Sequence, residues 1–140
     1  MDALRRKWLL GAAAAVALGS AGAVTVGSER TQQSAAPEVT PATVSLGDSV
    51  FHGKVGGALC YVCHGPAGKG VTGLGPNLTD KEWLHGDGSL AFLAKLVEDG
   101  VPKPKKVPAP MPPKGGGTLT PSQIKAAAAY VYSLTHPLGR

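Results

Sequence analysis

Two thiols and an imidazole fall within five consecutive residues, Cys60-Tyr61-Val62-Cys63-His64. Cysteines three apart on a helical turn share one face, so both thiols can reach the two vinyl groups of one porphyrin and form thioethers. The histidine that follows then lies beneath the ring plane, where an imidazole nitrogen can bind iron. The C-x-x-C-H pattern is accordingly that of c-type haem attachment. Cys60 and Cys63 are the only cysteines, so no thiol is left over. Three other chemistries compete. A zinc half-site needs a second ligand pair, and His52, His85 and His136 are scattered without ligand spacing. A thioredoxin-like C-x-x-C needs a βαβ setting, which a chain this rich in Gly and Pro does not offer. A disulfide suits an exported protein but leaves His64 without a role.

An electron-transfer haem takes a second protein ligand. Apart from Met1, Met111 is the only methionine, framed as Pro110-Met111-Pro112. A thioether favours ferrous iron, so a Met/His pair raises the reduction potential. The flanking prolines fix φ and stiffen the loop around the sulfur. A loop methionine also serves as a gap-filler, and His52, His85 and His136 stand as alternative ligands. Two protein ligands leave no open site for substrate, and no paired carboxylates or nucleophile–base grouping is evident.

The remaining elements must bring Met111 to the attachment motif. The 140 residues allow one domain, and aromatics make up only 5% of them. A porphyrin would add a large apolar plate to that thin core. The formal charge of +5 falls to +3 without residues 1–23, and haem propionates would lower it further, so it says little about partners; no nucleic-acid partner is expected.

Residues 1–27 read as a targeting segment: the basic cluster Arg5-Arg6-Lys7, then an uncharged apolar stretch from Trp8 to Gly27. A secretory signal would place its apolar core at Trp8–Leu18 and its small-residue cleavage pattern at Ala21-Gly22-Ala23. A membrane anchor would use the whole stretch, basic end inside. The linker behind it favours the anchor. Either outcome puts the rest of the chain on the periplasmic side. Residues 28–46 are rich in Thr, Gln, Ser and Ala with Pro37 and Pro41; they read as a flexible tether with a reach of roughly 25 Å.

From Gly47 to Arg140 the composition is that of a folded domain. Asp48 is expected to cap a first helix carrying Val50 and Phe51, broken near Gly56-Gly57 because helical glycines cost about 1 kcal/mol each. The glycine-rich loop from Gly65 to Gly70 would let backbone pass close to a porphyrin edge. Thr79-Asp80-Lys81-Glu82 has the form of a capping box opening a short helix with Trp83 and Leu84. Ser89 to Asp99 predicts a helix with an apolar stripe of Phe92, Leu93, Leu96 and Val97, stopped by Gly100 and Pro102. Lys103 to Gly117 is too rich in proline for helix and is expected to be extended. The last helix is capped by Thr120, with Pro121 at its first position, Gln123 completing the box, and a staple from Leu119 to Ile124. Ile124, Ala127, Ala128, Val131 and Leu134 share its apolar face, and His136-Pro137 ends it.

From Gly47 to His136 the chain resembles the class I cytochromes c, the monohaem family of c-type cytochromes. The resemblance rests on Gly47 and Phe51, Cys60 to His64, Gly75-Pro76-Asn77-Leu78, Pro110-Met111-Pro112 and a terminal helix with Tyr130. It implies an all-α fold, with several short helices wrapped around one covalently bound haem c. It implies that Phe51 and Tyr130 mark the crossing of the first and last helices. It further implies that Pro76 offers its carbonyl to His64, and that Trp83 reaches a haem propionate or packs in the core. The Gly47/Phe51 pair lies five residues further from the first cysteine than in the family's commonest form.

The function expected is single-electron transfer, with redox protein partners such as a membrane oxidase or a quinol-oxidising complex. Two alternatives stand beside a free shuttle: a fixed haem subunit of an oxidase or reductase assembly, and a haem enzyme or gas binder that displaces Met111. Lys103, Lys105, Lys106 and Lys114 bracket Met111 and form a candidate docking face.

Overall fold

The structure, a computed structural model, describes residues 38–139. The expected signal or anchor at 1–27 and the linker as far as residue 37 lie outside the described residues. Among those described, no helix is long and apolar enough to cross a membrane.

Among the described residues four α-helices form: α1 (Pro41–Phe51), α2 (Cys60–His64), α3 (Leu90–Asp99) and α4 (Pro121–Ser133). Among the described residues there is no strand, only two isolated antiparallel bridges, Val71 with Gly75 and Val101 with Met111. The fold is all-α, as expected, and α4 packs against both α1 and α3.

α1 and α4 start by the same local chemistry. In α4 the Thr120 side chain accepts from the Gln123 backbone N–H while Gln123 returns a bond to the Thr120 N–H. In α1, Thr40 and Thr43 make the same reciprocal pair, and Pro41 and Pro121 each follow the cap. A proline there loses nothing, because the first helical N–H has no intrahelical partner. This corrects the expected start at Asp48. α1 begins at Pro41, inside the stretch read as tether, and Asp48 sits in its last turn, its carbonyl accepting from the His52 N–H.

The helix also ends earlier than expected. It stops at Phe51, well before Gly56-Gly57, and residues 52–59 turn back with Gly53, Gly56 and Gly57 all at positive φ. This turn takes up the extra five residues ahead of Cys60. Gly47 therefore still faces α4, and Phe51, only 1% exposed, packs on Tyr130 with ring centroids 5.1 Å apart.

α3 runs as expected from the Ser89 cap to Gly100 and buries Leu93 and Val97. α4 buries Ile124, Ala126, Ala127, Ala128, Ala129 and Val131, its run of alanines letting neighbouring backbones approach. It ends at Ser133, with Leu134 as its C-cap. Val50, Val97, Leu119, Ile124 and Ala127 form one part of the core. Phe51, Leu93, Ala128 and Val131 form the other, with Trp83 and Leu78 against it.

Two local expectations fail. No helix follows Thr79, because the groups it needs are already engaged. Asn77 Oδ1 accepts from both the N–H and the hydroxyl of Thr79, and Asp80 Oδ1 accepts from the Glu82 N–H that a capping box would have used. Short polar side chains offer the backbone such alternatives to helix. Lys103 to Gly117 contains one tight turn, Pro113–Gly116, in which Lys114 (φ 55°) and Gly115 (φ 60°) are left-handed. The rest of that stretch is irregular and bent, with no helix.

Candidate functional site

α2 is a single turn made of the C-x-x-C-H residues, held at both ends by backbone. The Leu59 N–H donates to Gly115 O at 3.0 Å, and the Gly70 N–H donates to His64 O at 2.7 Å. Cys60 and Cys63 are half-buried free thiols, not joined to each other. Burial pushes the Cys60 thiol above its ordinary pKa, a backbone hydrogen bond opposing and the Cys63 charge adding to the rise. Cys60 is therefore not the activated thiol of a redox dithiol, whose acidity is enhanced. The tight turn passes directly over Cys60, and a Cβ added to Gly115 would lie 3.0 Å from the Cys60 sulfur.

His64 is buried, and its Nδ1 donates to the carbonyl oxygen of Pro76 at 3.0 Å. A carbonyl only accepts, so the proton sits on Nδ1 and Nε2 keeps its lone pair. Burial lowers the pKa of the ring, and the Pro76 bond partly offsets this. A neutral imidazole with one nitrogen anchored is the form in which histidine binds a metal. Pro76 reaches it because Gly75 lies flat on α2: a Cβ there would fall 2.6 Å from Cys63 O. The glycine-rich loop serves the same segment. A Cβ on Gly70 would lie 2.8 Å from Asn77 N, and the Leu78 N–H donates to Gly68 O at 2.7 Å. These glycines admit the chain's own 75–78 backbone, a use that the expected approach to a porphyrin edge did not include.

Cys60, Cys63, His64 and Met111 all line one cleft of 380 Å³, together with Phe51, Pro76 and Trp83. Its other walls are mainly aliphatic, among them Leu59, Val62, Leu74, Leu96, Val97 and Val107. Leu59, Val62 and Leu74 are 53%, 45% and 41% exposed, a large apolar area to leave in water beside an apolar hollow. Tyr130 does not line the cleft; it backs Phe51. Among the alternative ligands only His85 lines it. His52 is engaged by Asp48 and by Pro66 O, and His136 stacks on Tyr132 with centroids 4.0 Å apart.

The donor set fits a haem. Two thiols stand beside an imidazole with a free lone pair, a thioether lines the same cleft, and the walls are apolar. Cys60 and Cys63 would hold the porphyrin edge, with His64 Nε2 and the Met111 sulfur as iron ligands. Lys103, Lys105 and Lys106 are exposed and flank the cleft-lining Pro104 and Val107. Lys106 pairs with Glu82, and Lys114 is half-buried in the tight turn. Val101 has no role in the sequence reading, although it stands between the helix-stopping Gly100 and Pro102.

A helical shell around an apolar cleft, with C-x-x-C-H and a methionine facing into it, defines a c-type cytochrome, and haem c is the cofactor of that class. Residues 52–131 match the family "Cytochrome C oxidase, cbb3-type, subunit III", and the chain belongs to it. It is 42% identical over 76 residues to the cbb3-type cytochrome c oxidase subunit FixP of Bradyrhizobium diazoefficiens, covering 54% of this chain and 23% of that protein. It is 42% identical over 84 residues to subunit CcoP of Rubrivivax gelatinosus, covering 59% of this chain and 25% of that protein. The chain thus spans about a quarter of the length of these relatives. Its fold is similar to that of cytochrome CL from Methylophaga aminisulfidivorans, with a TM-score of 0.52 and 23% identity, covering 68% of this chain and 55% of that one.

Proposed function

We propose that this chain passes single electrons through one covalently bound haem c to or within a cbb3-type terminal oxidase. The observation that carries the reading is the convergence of Cys60, Cys63, His64 and Met111 on one apolar cleft. Haem iron supplies a one-electron couple. The chain's own residues supply the rest: two thioether anchors, a histidine oriented by Pro76, a methionine that raises the potential, and walls that keep water away. The ligand set leaves no open iron position for substrate, which supports a carrier over an enzyme.

Membership of the subunit III family and likeness to FixP and CcoP favour the fixed oxidase subunit over the free shuttle that the sequence put first. Residues 1–27 would anchor the chain in the membrane with the haem domain in the periplasm. The test is to tag the C terminus, solubilise native membranes in detergent and isolate the chain. Oxidase subunits should accompany it, and its haem should survive denaturing electrophoresis. A haem-bearing chain recovered alone from the soluble fraction would make it a free carrier. A chain without covalent haem would overturn the reading.

A further inference from the structure

We infer that Gly100 and Val101 are positioning residues for Met111, forming a backbone clasp that decides whether its sulfur stays on iron. The inference rests on Met111 being the second ligand, as proposed above. Val101 and Met111 exchange both of their backbone hydrogen bonds: Val101 N–H to Met111 O at 2.8 Å, and Met111 N–H to Val101 O at 3.0 Å. Between them lie residues 102–110, and Pro102, Pro104, Pro108 and Pro110 have no N–H to offer. No residue from 102 to 110 makes a backbone hydrogen bond among the described residues. On the side-chain side, Lys106 of this loop pairs with Glu82 at the surface, and exposed pairs contribute little. The clasp is therefore the main fixed point of the loop that carries the ligand.

The clasp in turn is fixed to the core. Gly100 caps α3 at φ 70°, its N–H donating to Leu96 O at 2.9 Å. A Cβ there would lie 2.4 Å from Met111 O and 2.8 Å from the Pro112 carbonyl carbon, so only glycine lets the two chains come together. One turn earlier Val97 is buried, and Met111 packs against the core cluster that contains it. The rigidity of α3 passes through Gly100 and Val101 into the backbone of Met111. Stiff prolines alone shape a loop but do not say where it sits.

The test uses the haem-loaded full chain and four variants: Val101→Pro, which deletes one clasp donor; Gly100→Ala, which forces the two bridged segments apart; Val101→Ile, which keeps the backbone; and Met111→Ala. Carbon monoxide is the probe, because it binds ferrous haem only when the sulfur has left. Val101→Pro and Gly100→Ala should bind it about tenfold faster than wild type, the factor that corresponds to roughly 1.4 kcal/mol. They should also weaken the ferric sulfur-to-iron charge-transfer band. Val101→Ile should match wild type. The Met111 amide of the wild-type protein should exchange with deuterium slowly, which tests the clasp even if a variant does not fold. Clasp variants that exclude carbon monoxide as wild type does, or a Met111 amide that exchanges freely, would overturn the inference alone. A wild type that binds carbon monoxide as fast as Met111→Ala would overturn the ligand reading, and the inference with it.

Discussion

The backbone of Gly47 lies so close to Ala126 that a Cβ on Gly47 would fall 2.0 Å from the Ala126 carbonyl oxygen, and 2.7 Å from Tyr130 Cβ. This is the crossing of α1 and α4, and no side chain fits in it. Gly47→Ala must push the helices apart, exposing Val50 and Phe51, which are 0% and 1% exposed. Overpacking a tight contact costs typically 1–3 kcal/mol, and a backbone oxygen cannot yield as a side chain can. A loss of about 3 kcal/mol is expected. Denaturant unfolding of the haem-loaded protein measures it, and an unchanged midpoint would mean that the helices do not cross here.

The attachment chemistry makes a separate prediction. Cys60→Ser with Cys63→Ser should leave a chain whose haem is extracted by acidified acetone, whereas wild type keeps a haem-stained band on a denaturing gel. Each single substitution should keep one thioether and retain the stain more weakly. The half-buried thiols sit on the same turn as His64, so the double variant can still fold around unattached haem. A stain that survives the double substitution would disprove thioether attachment.

What could be read in advance follows the range of the interactions involved. α4 was legible because its start depends on Thr120, Pro121 and Gln123, three neighbours acting on one another. The same device opens α1, yet Thr43 stands where Glu or Gln usually does, and the proline at position 41 looked like linker. The Thr-Pro pair common to residues 40–41 and 120–121 was the missed signal. The Thr79 box failed for the converse reason: Asn77 and Asp80, equally local, captured its donors first. The Cys60–His64 motif was legible because covalent chemistry demands that spacing, whatever the surrounding fold. The pairing of Val101 with Met111 joins residues ten apart across a proline-rich loop, and no local pattern announces it.

The lysines near the cleft predict a salt dependence. Lys103 and Lys105 are exposed on the loop that leads to Met111, while Lys106 is held by Glu82. Electrostatic steering raises encounter rates by about tenfold or more, and it is screened beyond a Debye length of about 10 Å at 0.1 M salt. Electron transfer with an acidic partner should slow as salt rises. Lys103→Glu with Lys105→Glu should lower the low-salt rate by about tenfold and flatten the dependence. Stopped-flow mixing at several ionic strengths reads both, and rates indifferent to salt would remove this face from the docking scheme.

The functional reading depends most on Met111. Met111→Ala should retain its haem, because Cys60, Cys63 and the His64–Pro76 bond do not involve the methionine. The vacated position would take water or an added ligand. The reduction potential should fall by on the order of 0.1 V or more, well inside the roughly 0.8 V range that axial ligation controls. Met111→His should also lower the potential while keeping iron six-coordinate, since imidazole favours ferric iron more than a thioether does. Coordination should shield the wild-type sulfur from peroxide, whereas a free thioether oxidises to a polar sulfoxide. Potentiometric titration with absorption spectra of the three proteins separates the outcomes. An alanine variant with the wild-type potential and ferric spectrum would make Met111 a bystander. His85, which lines the same cleft, would then be the next ligand to replace.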